Sequence, residues 1–156
     1  MTRSRIILLV EDSADDIDLT IRAFERSQIL HEMVVARDGQ EALDYLFGEG
    51  AFTGRDTQLV PAVVLLDLNL PKLNGLEVLG RMRADERTRR VPVVILTSSK
   101  EEQDRMQSYN LGANSFVRKP VNFAEFLDAA HRLGVYWLDV NVNAAPPSLP
   151  AKPLAM

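Results

Sequence analysis

Short, continuous runs of aliphatic residues alternate along the chain with longer segments whose apolar residues recur every three or four positions. Continuous runs are typical of strands buried on both faces of a parallel sheet, and the longer spacing is typical of amphipathic helices. The pattern predicts strands over residues 5–10, 32–36, 62–67, 91–97 and 115–118. It predicts helices over residues 15–27, 38 to about 46, 75–84, 101–110 and 123 to about 138.

The alternation of five strands with five helices indicates an α/β fold, a doubly wound parallel sheet with helices on both faces. In such sheets a ligand binds beyond the carboxyl ends of the strands, at the point where the strand order reverses. The polar residues that directly follow the strands are therefore the candidates for function. A polar, glycine-bearing stretch over residues 48–60 is predicted to be a long loop.

Composition narrows the possible functions. The 156 residues, 46% of them hydrophobic, fit a single domain with a core of its own. A formal charge of −4, from 18 Lys+Arg against 22 Asp+Glu, argues against a nucleic-acid-binding surface. We expect no membrane segment, because no apolar run approaches the roughly 18 residues that cross a bilayer. The chain has no cysteine, which excludes disulfides and thiolate metal sites and favours a cytoplasmic protein.

Acidic, hydroxyl and basic side chains lie at the ends of four predicted strands. Glu11 and Asp12 follow the first strand, Asp67 closes the third, Thr97 closes the fourth and Lys119 follows the fifth. Two carboxylates about 4 Å apart repel by roughly 4 kcal/mol at an effective dielectric near 20, so three together require a counter-charge. Mg²⁺ meets that requirement with few protein carboxylates and can also accept a phosphoryl oxygen. The sequence therefore predicts a magnesium site.

Beside a bound metal, one carboxylate can act as a nucleophile and become an aspartyl-phosphate. Phosphoryl transfer requires positive charge and hydrogen bonds at the phosphoryl oxygens, which Mg²⁺, Lys119 and Thr97 would supply. Asp67 is the predicted phosphoacceptor because it ends a stiff central strand. Glu11 and Asp12 are then the predicted pair that holds the metal.

These residues and their joint spacing resemble the receiver domains of two-component response regulators, over about residues 5–138. The matching motifs are Glu11-Asp12, the run LLDLNLP at residues 65–71 with Gly75, the pair Thr97-Ser98, and Lys119-Pro120. The resemblance implies a flavodoxin-like strand order of 2-1-3-4-5 and phosphorylation of Asp67. It also implies that Asn69 gives its backbone carbonyl to Mg²⁺.

The resemblance further assigns switching roles to three residues. Thr97 would move toward the phosphoryl group, and Pro120 would follow a cis peptide bond. Phe116 matches the aromatic switch position, but a plain core aromatic accounts for it equally well.

The resemblance divides the chain into a receiver domain over residues 1–140 and a tail over residues 141–156. Half of all eight prolines lie in the last eleven residues, so the tail is expected to be disordered or extended. It is too short for a DNA-binding module. We therefore expect no output domain and no nucleic-acid partner, with output through protein contact or phosphate relay.

A narrower resemblance is to the single-domain regulators that partner bacterial phytochromes and related sensor kinases. Four features support it: the long loop after Tyr45-Leu46, the motif LNLP at residues 68–71, the motif TSS at residues 97–99, and the sequence Tyr136-Trp137-Leu138 at the end of the last helix. It implies that the phosphohistidine of a sensor histidine kinase donates to this chain. In that group the receiver is often a dimer.

The last predicted helix carries more apolar residues than one face can bury. The apolar residues that recur every three or four positions along it form one face, and packing of that face against the core accounts for them. Val135, Tyr136, Leu138 and Val140 lie off that stripe. Exposed apolar patches commonly mark interfaces, so this helix and the residues after it are predicted to form homodimer contacts.

Three alternative functions compete with the receiver. A magnesium phosphohydrolase with an aspartate nucleophile would need a second acid two residues after Asp67, where Asn69 stands. A flavodoxin-like FMN carrier would need a loop after the first strand that binds phosphate, whereas the acids of residues 11–16 repel it. A receiver that has lost its chemistry would not keep the whole set of strand-end residues.

Overall fold

The computed structural model describes residues 5–144, so most of the tail predicted for residues 141–156 lies outside the described residues. Five parallel strands form one sheet in the order β2-β1-β3-β4-β5, as predicted. The strands are β1 (Arg5–Val10), β2 (His31–Ala36), β3 (Val63–Leu66), β4 (Val93–Thr97) and β5 (Ser115–Arg118). The helices are α1 (Ala14–Glu25), α2 (Gly39–Phe47), α3 (Gly75–Ala84), α4 (Glu102–Asn110) and α5 (Phe123–Val135).

Each face of the sheet is covered by helices, which confirms the doubly wound architecture. Alternate residues of β1 and β3 point to opposite faces, because side chains alternate along a strand. Leu8 and Val64 pack with α2 and α3 on one face, whereas Ile7 and Val63 pack toward α1 and the end of α5 on the other. The three central strands are buried throughout, apart from the first two residues of β1. None of the helices among residues 5–144 is long and apolar enough to cross a bilayer.

Four helices begin at a residue whose side chain caps the first turn. The side-chain oxygen accepts a hydrogen bond from the backbone N–H three residues later, at 2.7–3.3 Å, and so satisfies an amide that the helix leaves free. The capping residues are Ser13, Asp38, Asn74 and Asn122. Helix α4 differs, because Glu101 makes no such bond. Its only buried residue is Ser108.

The end of the last helix differs from the prediction. Helix α5 stops at Val135, and a single π-helical turn follows over Tyr136–Val140. A π turn holds more residues than an α turn, so it changes the direction of the side chains that follow. Trp137 and Leu138 both point into the core, and the expectation of an outward Leu138 is wrong. Tyr136 and Val140 are exposed as expected, by 46% and 59%.

The peptide bond before Pro120 is also not as expected. No cis peptide bond occurs among the described residues, so the Lys119–Pro120 bond is trans and the family expectation is wrong for this structure. Trans is the lower-energy form of an X–Pro bond by about 0.5–1 kcal/mol. Lys119 reaches its partners from the trans geometry, as described below.

Two glycines fix the connection between β3 and α3. The Gly75 amide donates to the Leu68 carbonyl at 2.9 Å, and a Cβ at Gly75 would overlap the Asp67 carbonyl oxygen and the Leu68 backbone. A Cβ at Gly39 would likewise overlap the backbone of Leu73. Backbone atoms cannot move aside as a flexible side chain can. The lack of side chains at these two positions therefore sets where the chain runs after β3.

Substituting alanine at Gly75 tests this close approach, and Gly80 in the same helix provides a matched control. A Cβ at Gly80 has no atom within 4 Å. We expect Gly75→Ala to lower the free energy of unfolding by at least about 2 kcal/mol through overpacking. Gly80→Ala should be neutral or stabilising by up to about 1 kcal/mol, because alanine favours the helix. Urea unfolding measures both, and equal effects of the two substitutions would contradict this account.

Candidate functional site

The strand-end residues predicted from the sequence meet at the carboxyl edge of the sheet. The Asp67 amide donates to the Val10 carbonyl at 3.1 Å, which carries the pairing of β1 and β3 one residue further. The Lys119 amide donates to the Thr97 carbonyl at 2.8 Å, which does the same for β4 and β5. Glu11 is fixed in the same way by its amide bond to the Ala36 carbonyl at 2.9 Å. The sheet itself therefore positions the site.

The Lys119 ammonium lies among three carboxylates. Its Nζ is 2.5 Å from Glu11 Oε1, 2.8 Å from Asp16 Oδ2 and 2.8 Å from Asp67 Oδ2. Only 8% of the lysine side chain is exposed, and the side chains of Glu11 and Asp67 are exposed even less. Charge pairs with so little water around them are screened weakly, so this cluster is electrostatically strong.

Asp67 accepts hydrogen bonds on both carboxylate oxygens. Oδ1 accepts from the Thr97 hydroxyl at 2.8 Å and from the Asn69 backbone amide at 3.1 Å, and Oδ2 accepts from Lys119. The Thr97 side chain is fully buried, so its hydroxyl has few alternative partners. These bonds hold the Asp67 carboxylate in one orientation.

The cluster holds more negative than positive charge. Burial raises the pKa of Glu11 to about 7, even though the hydrogen bond from Lys119 acts in the opposite direction, and the charge of Asp67 adds to the rise. Burial alone would disfavour the charged form of Lys119. Its hydrogen bonds to Asp16, Asp67 and Glu11 outweigh burial and raise its pKa above the ordinary value. Three carboxylates surround the one ammonium, so its charge does not fully balance theirs.

Asp12 adds a further carboxylate on the solvent side of the cluster. It is exposed, and no hydrogen bond or ion pair found among residues 5–144 involves its side chain. Ligand oxygens of Glu11, Asp12 and Asp67 lie within 4.8 Å of one another, which is close enough to share one ion. Oxygen donors with excess negative charge are the ligands that a hard divalent cation prefers. The residues present therefore fit a divalent metal.

Three other predicted site residues have clear positions. Asn69 is exposed, and its amide bond to Asp67 places it beside the cluster. Phe116 is half-buried and packs against the core on the α2 and α3 face. Pro120 directly follows the buried Lys119. Phe116 thus has the contacts of a core residue while part of its ring remains accessible.

Sequence reasoning missed Asp16 as a member of the site. It lies in the first turn of α1, where an acid is explained by the helix dipole alone. In the structure it is the third carboxylate bonded to Lys119, 103 residues away along the chain. The spacing from Glu11 to Asp16 is a usable signal, because a helix that begins at Ala14 directs its first turn back toward the end of β1.

Ser99 and Asp104 extend the site toward α4. The Ser99 amide donates to the Thr97 hydroxyl oxygen at 3.3 Å, and the Ser99 hydroxyl donates to Asp104 Oδ2 at 2.7 Å. The same hydroxyl accepts from the Glu101 amide at 3.3 Å. Thr97 is thereby linked to both the Asp67 carboxylate and the first turn of α4.

The fold and the site together define the class of phosphoryl-accepting α/β domains, and comparison with known proteins agrees. Residues 7–131 match the family described as "Response regulator receiver domain". The bacteriophytochrome response regulator RtBRR is 50% identical, with a TM-score of 0.71 and coverage of 93% of this chain and 86% of that one. The phosphorylated cyanobacterial phytochrome response regulator RcpA is 37% identical, with a TM-score of 0.85 and coverage of 90% and 99%.

Response regulator Rcp1 of Synechocystis sp. is 36% identical over 135 residues, which are 86% of this chain and 90% of that protein. The crystal structure of its Mn²⁺-bound form superposes with a TM-score of 0.85 at 35% identity, covering 90% of this chain and 99% of that one. The chain belongs to the response regulator receiver domain family. It is a signalling protein that takes a phosphoryl group onto an aspartate, and this is favoured over the magnesium phosphohydrolase.

Removing the Lys119 charge tests the electrostatics of the cluster. We expect Lys119→Met to lower the free energy of unfolding near neutral pH by about 3–5 kcal/mol, because it leaves buried carboxylates without a counter-charge. Lys72→Met is the control, since Lys72 is 68% exposed and 3.5 Å from Asp38. It should cost less than about 1 kcal/mol. Urea unfolding without added metal measures both, and a small effect at Lys119 would show that the charges are well screened.

Proposed function

We propose that Asp67 is the phosphoacceptor of this receiver. The observation that carries the assignment is its position, because Asp67 alone among the carboxylates of the cluster contacts both Lys119 and the Thr97 hydroxyl. A phosphoryl group needs positive charge and a hydrogen-bond donor at its oxygens, and these two groups supply both beside the same carboxylate.

In the proposed reaction, a carboxylate oxygen of Asp67 attacks the phosphorus of a phosphohistidine on a sensor histidine kinase. A P–O bond forms, the P–N bond breaks, and the histidine ring leaves with the electron pair of that bond. Lys119 and Thr97 then follow the new phosphoryl oxygens in place of the carboxylate oxygens they contact now. Hydrolysis of the acyl phosphate on the same chain resets the site.

The proposed cofactor is Mg²⁺, held by Glu11, Asp12 and Asp67 together with the Asn69 backbone carbonyl. Support comes from the carboxylate oxygens within 4.8 Å of one another and from the three carboxylates that share the single Lys119 ammonium. When bound, Mg²⁺ supplies positive charge at the phosphoryl oxygens. Phosphoryl-transfer sites typically hold Mg²⁺ through one or two carboxylates and substrate oxygens, which fits this donor set.

A kinase of the bacteriophytochrome type is the proposed donor. The 50% identity to a bacteriophytochrome response regulator and the likeness to the phytochrome response regulator RcpA support it. When a purified bacteriophytochrome kinase that carries a radiolabelled phosphohistidine is mixed with this chain, the labelled phosphoryl group should move from the kinase to the chain. The lack of cysteine fits the cytoplasm as the compartment of this exchange.

The proposed output is a change of surface around β4, α4 and Phe116. Movement of Thr97 toward a phosphoryl group would withdraw the oxygen that accepts from the Ser99 amide. That contact differs between the two states, so phosphorylation would shift an existing equilibrium between them. Phe116, half-buried beside this segment, would repack with it.

Labelling by a small phosphodonor tests the assignment of Asp67. With acetyl phosphate and Mg²⁺, intact-mass spectra of the unaltered chain should gain the mass of one phosphoryl group, and acid treatment should remove it. Asp67→Asn should abolish the gain, and excess EDTA should suppress it in the unaltered chain. Asp15→Asn is the matched control, since Asp15 is exposed on the first turn of α1. A label that persists in Asp67→Asn would refute the assignment.

The proposed oligomer is a homodimer that uses α5 and the π turn after it. Tyr136 and Val140 remain exposed there, and so do Phe123 at the start of α5, by 63%, and Val142, by 92%. This helix and the residues after it thus expose four large apolar side chains, which supports an interface. The burial of Leu138 reduces the surface available from the turn itself.

Sedimentation equilibrium tests the dimer. Tyr136→Ser combined with Val140→Ser should weaken the dimer at least tenfold, because both changes remove exposed apolar surface. Val121→Ser is the control, since Val121 is 97% exposed in the connection before α5. A monomer mass for the unaltered chain at every concentration would contradict the proposal.

A further inference from the structure

Lys119 contacts three carboxylates at once, and only two of them belong to the candidate metal site. A lysine ammonium has three N–H donors and no acceptor, so Glu11, Asp16 and Asp67 together can occupy all three. Glu11 and Asp67 belong to the group of ligand oxygens close enough to share one ion, and Asp16 does not. Among residues 5–144, Asp16 is therefore the one partner of Lys119 that remains when a cation takes the other two.

The backbone of Asp16 is fixed on both sides by side-chain hydrogen bonds. Its amide donates to the Ser13 hydroxyl oxygen at 3.3 Å, and its carbonyl accepts from the Thr20 hydroxyl at 2.7 Å. Thr20 is buried, so its hydroxyl has few alternative partners. The Asp16 carboxylate therefore reaches Lys119 from a well-held first turn of α1, 103 residues away along the chain.

Lys119 carries the same sign of charge as a divalent cation, and the two would share Glu11 and Asp67. Like charges that share ligands repel each other, and the repulsion is screened weakly where little water is present. The lysine side chain is only 8% exposed, so this condition holds here. A cation at the two shared carboxylates would therefore drive the ammonium away from the site unless another negative group holds it.

Phosphoryl transfer to Asp67 would change the partners of Lys119 again. An acyl phosphate no longer carries a free carboxylate on Asp67, and its phosphoryl oxygens need positive charge close by. The bond from Lys119 to Asp16 does not compete with this requirement, because the two aspartates occupy different N–H donors of the ammonium. Asp16 can therefore hold the ammonium in place while another of its donors turns to the phosphoryl group.

We propose that Asp16 is a positioning residue for phosphoryl transfer, which retains the Lys119 ammonium at the site while a divalent cation and the phosphoryl group take its other two partners. Asp16 acts through Lys119 and ligates neither the cation nor the phosphoryl group. This role rests on the proposed function, since it presupposes the metal site and Asp67 as the acceptor.

Asp15 provides a matched control in the same helical turn. It is exposed, and no hydrogen bond or ion pair found among residues 5–144 involves its side chain. Asparagine at Asp15 and asparagine at Asp16 remove the same formal charge from neighbouring positions. Only the change at Asp16 also removes a bond to Lys119. A difference between the two variants therefore reports the bond and not the net charge of the turn.

The shielding of Lys119 tests this role without phosphoryl transfer. An N-hydroxysuccinimide ester acetylates accessible amines, and peptide masses give the rate at Lys119, with the largely exposed Lys72 as internal reference. Without Mg²⁺, in NaCl of equal ionic strength, Lys119 should react slowly in the unaltered chain and in both asparagine variants, because the other two carboxylates still hold it. With saturating Mg²⁺, Lys119 should react at least about fivefold faster in Asp16→Asn, and should stay shielded in Asp15→Asn and in the unaltered chain.

The rate of labelling by acetyl phosphate, measured over a range of Mg²⁺ concentrations, separates positioning of Lys119 from metal binding. At saturating Mg²⁺, Asp16→Asn should lower the rate about tenfold, because even a small displacement of a catalytic group is costly. Asp16→Glu keeps a carboxylate that can reach Lys119 and should retain most of the rate. Asp15→Asn should match the unaltered chain.

Three outcomes would overturn the role of Asp16. Equal shielding of Lys119 in the two asparagine variants at saturating Mg²⁺ would do so, and would leave the labelling of Asp67 in the unaltered chain as a separate result. A rate that Asp16→Asn recovers fully as Mg²⁺ is raised would make Asp16 part of the metal site instead. A loss of stability alone, with shielding and rate unchanged, would make the bond structural. An unaltered chain that takes no label would refute the proposed function itself, and this role with it.

Discussion

The structure depends on one constraint, which is that several carboxylates share a site with little water. Lys119 supplies the positive charge that lets Glu11, Asp16 and Asp67 lie within 2.8 Å of a single nitrogen. Ion pairs as buried as this one contribute little net stability compared with an apolar replacement, because desolvation offsets the attraction. Their presence here is therefore explained better by chemistry than by folding. The site keeps negative charge in excess, which is what a divalent cation requires of it, whereas Lys119 and Thr97 supply the positive charge and the hydrogen bond that an incoming phosphoryl group requires.

The frame around this cluster is rigid because the sheet and the tight connections leave its members little freedom. Asp67 sits one residue past a strand of four fully buried residues, and its carboxylate accepts three hydrogen bonds. The glycine at the start of α3 allows that helix to pack directly onto the backbone of Asp67. Phosphoryl transfer asks a protein mainly for position and electrostatics. The rigid parts of the fold are those that hold the predicted acceptor, and the less constrained parts lie beyond Thr97.

Most of this arrangement is readable from the sequence because it follows from short-range rules. Continuous apolar runs fix the strands, and the parallel order brings their carboxyl ends together, so Glu11, Asp67, Thr97 and Lys119 had to converge. The contribution of Asp16 was missed because the helix dipole already explains an acid in the first turn of α1, so its spacing from Glu11 was not used as a signal. The π turn that buries Leu138 was equally hidden, because apolar residues off a helical stripe fit an interface or a distorted turn alike. The trans bond before Pro120 follows from the backbone path of one loop, which no pattern of residue types encodes.

Helix α4 is the helix that a change at Asp67 would displace most easily, because the fewest interactions hold it in place. It lacks a side-chain cap, buries only Ser108 and exposes Met106 and Tyr109 by 56% and 50%. Its first turn is held by the bonds of Ser99 to Asp104 and Glu101, and Ser99 is in turn bonded to Thr97. A typical hydrogen bond contributes about 1 kcal/mol net, so the loss of the Thr97 contact is comparable to what holds this turn. The other helices each bury several apolar side chains, and a perturbation of that size would leave them in place.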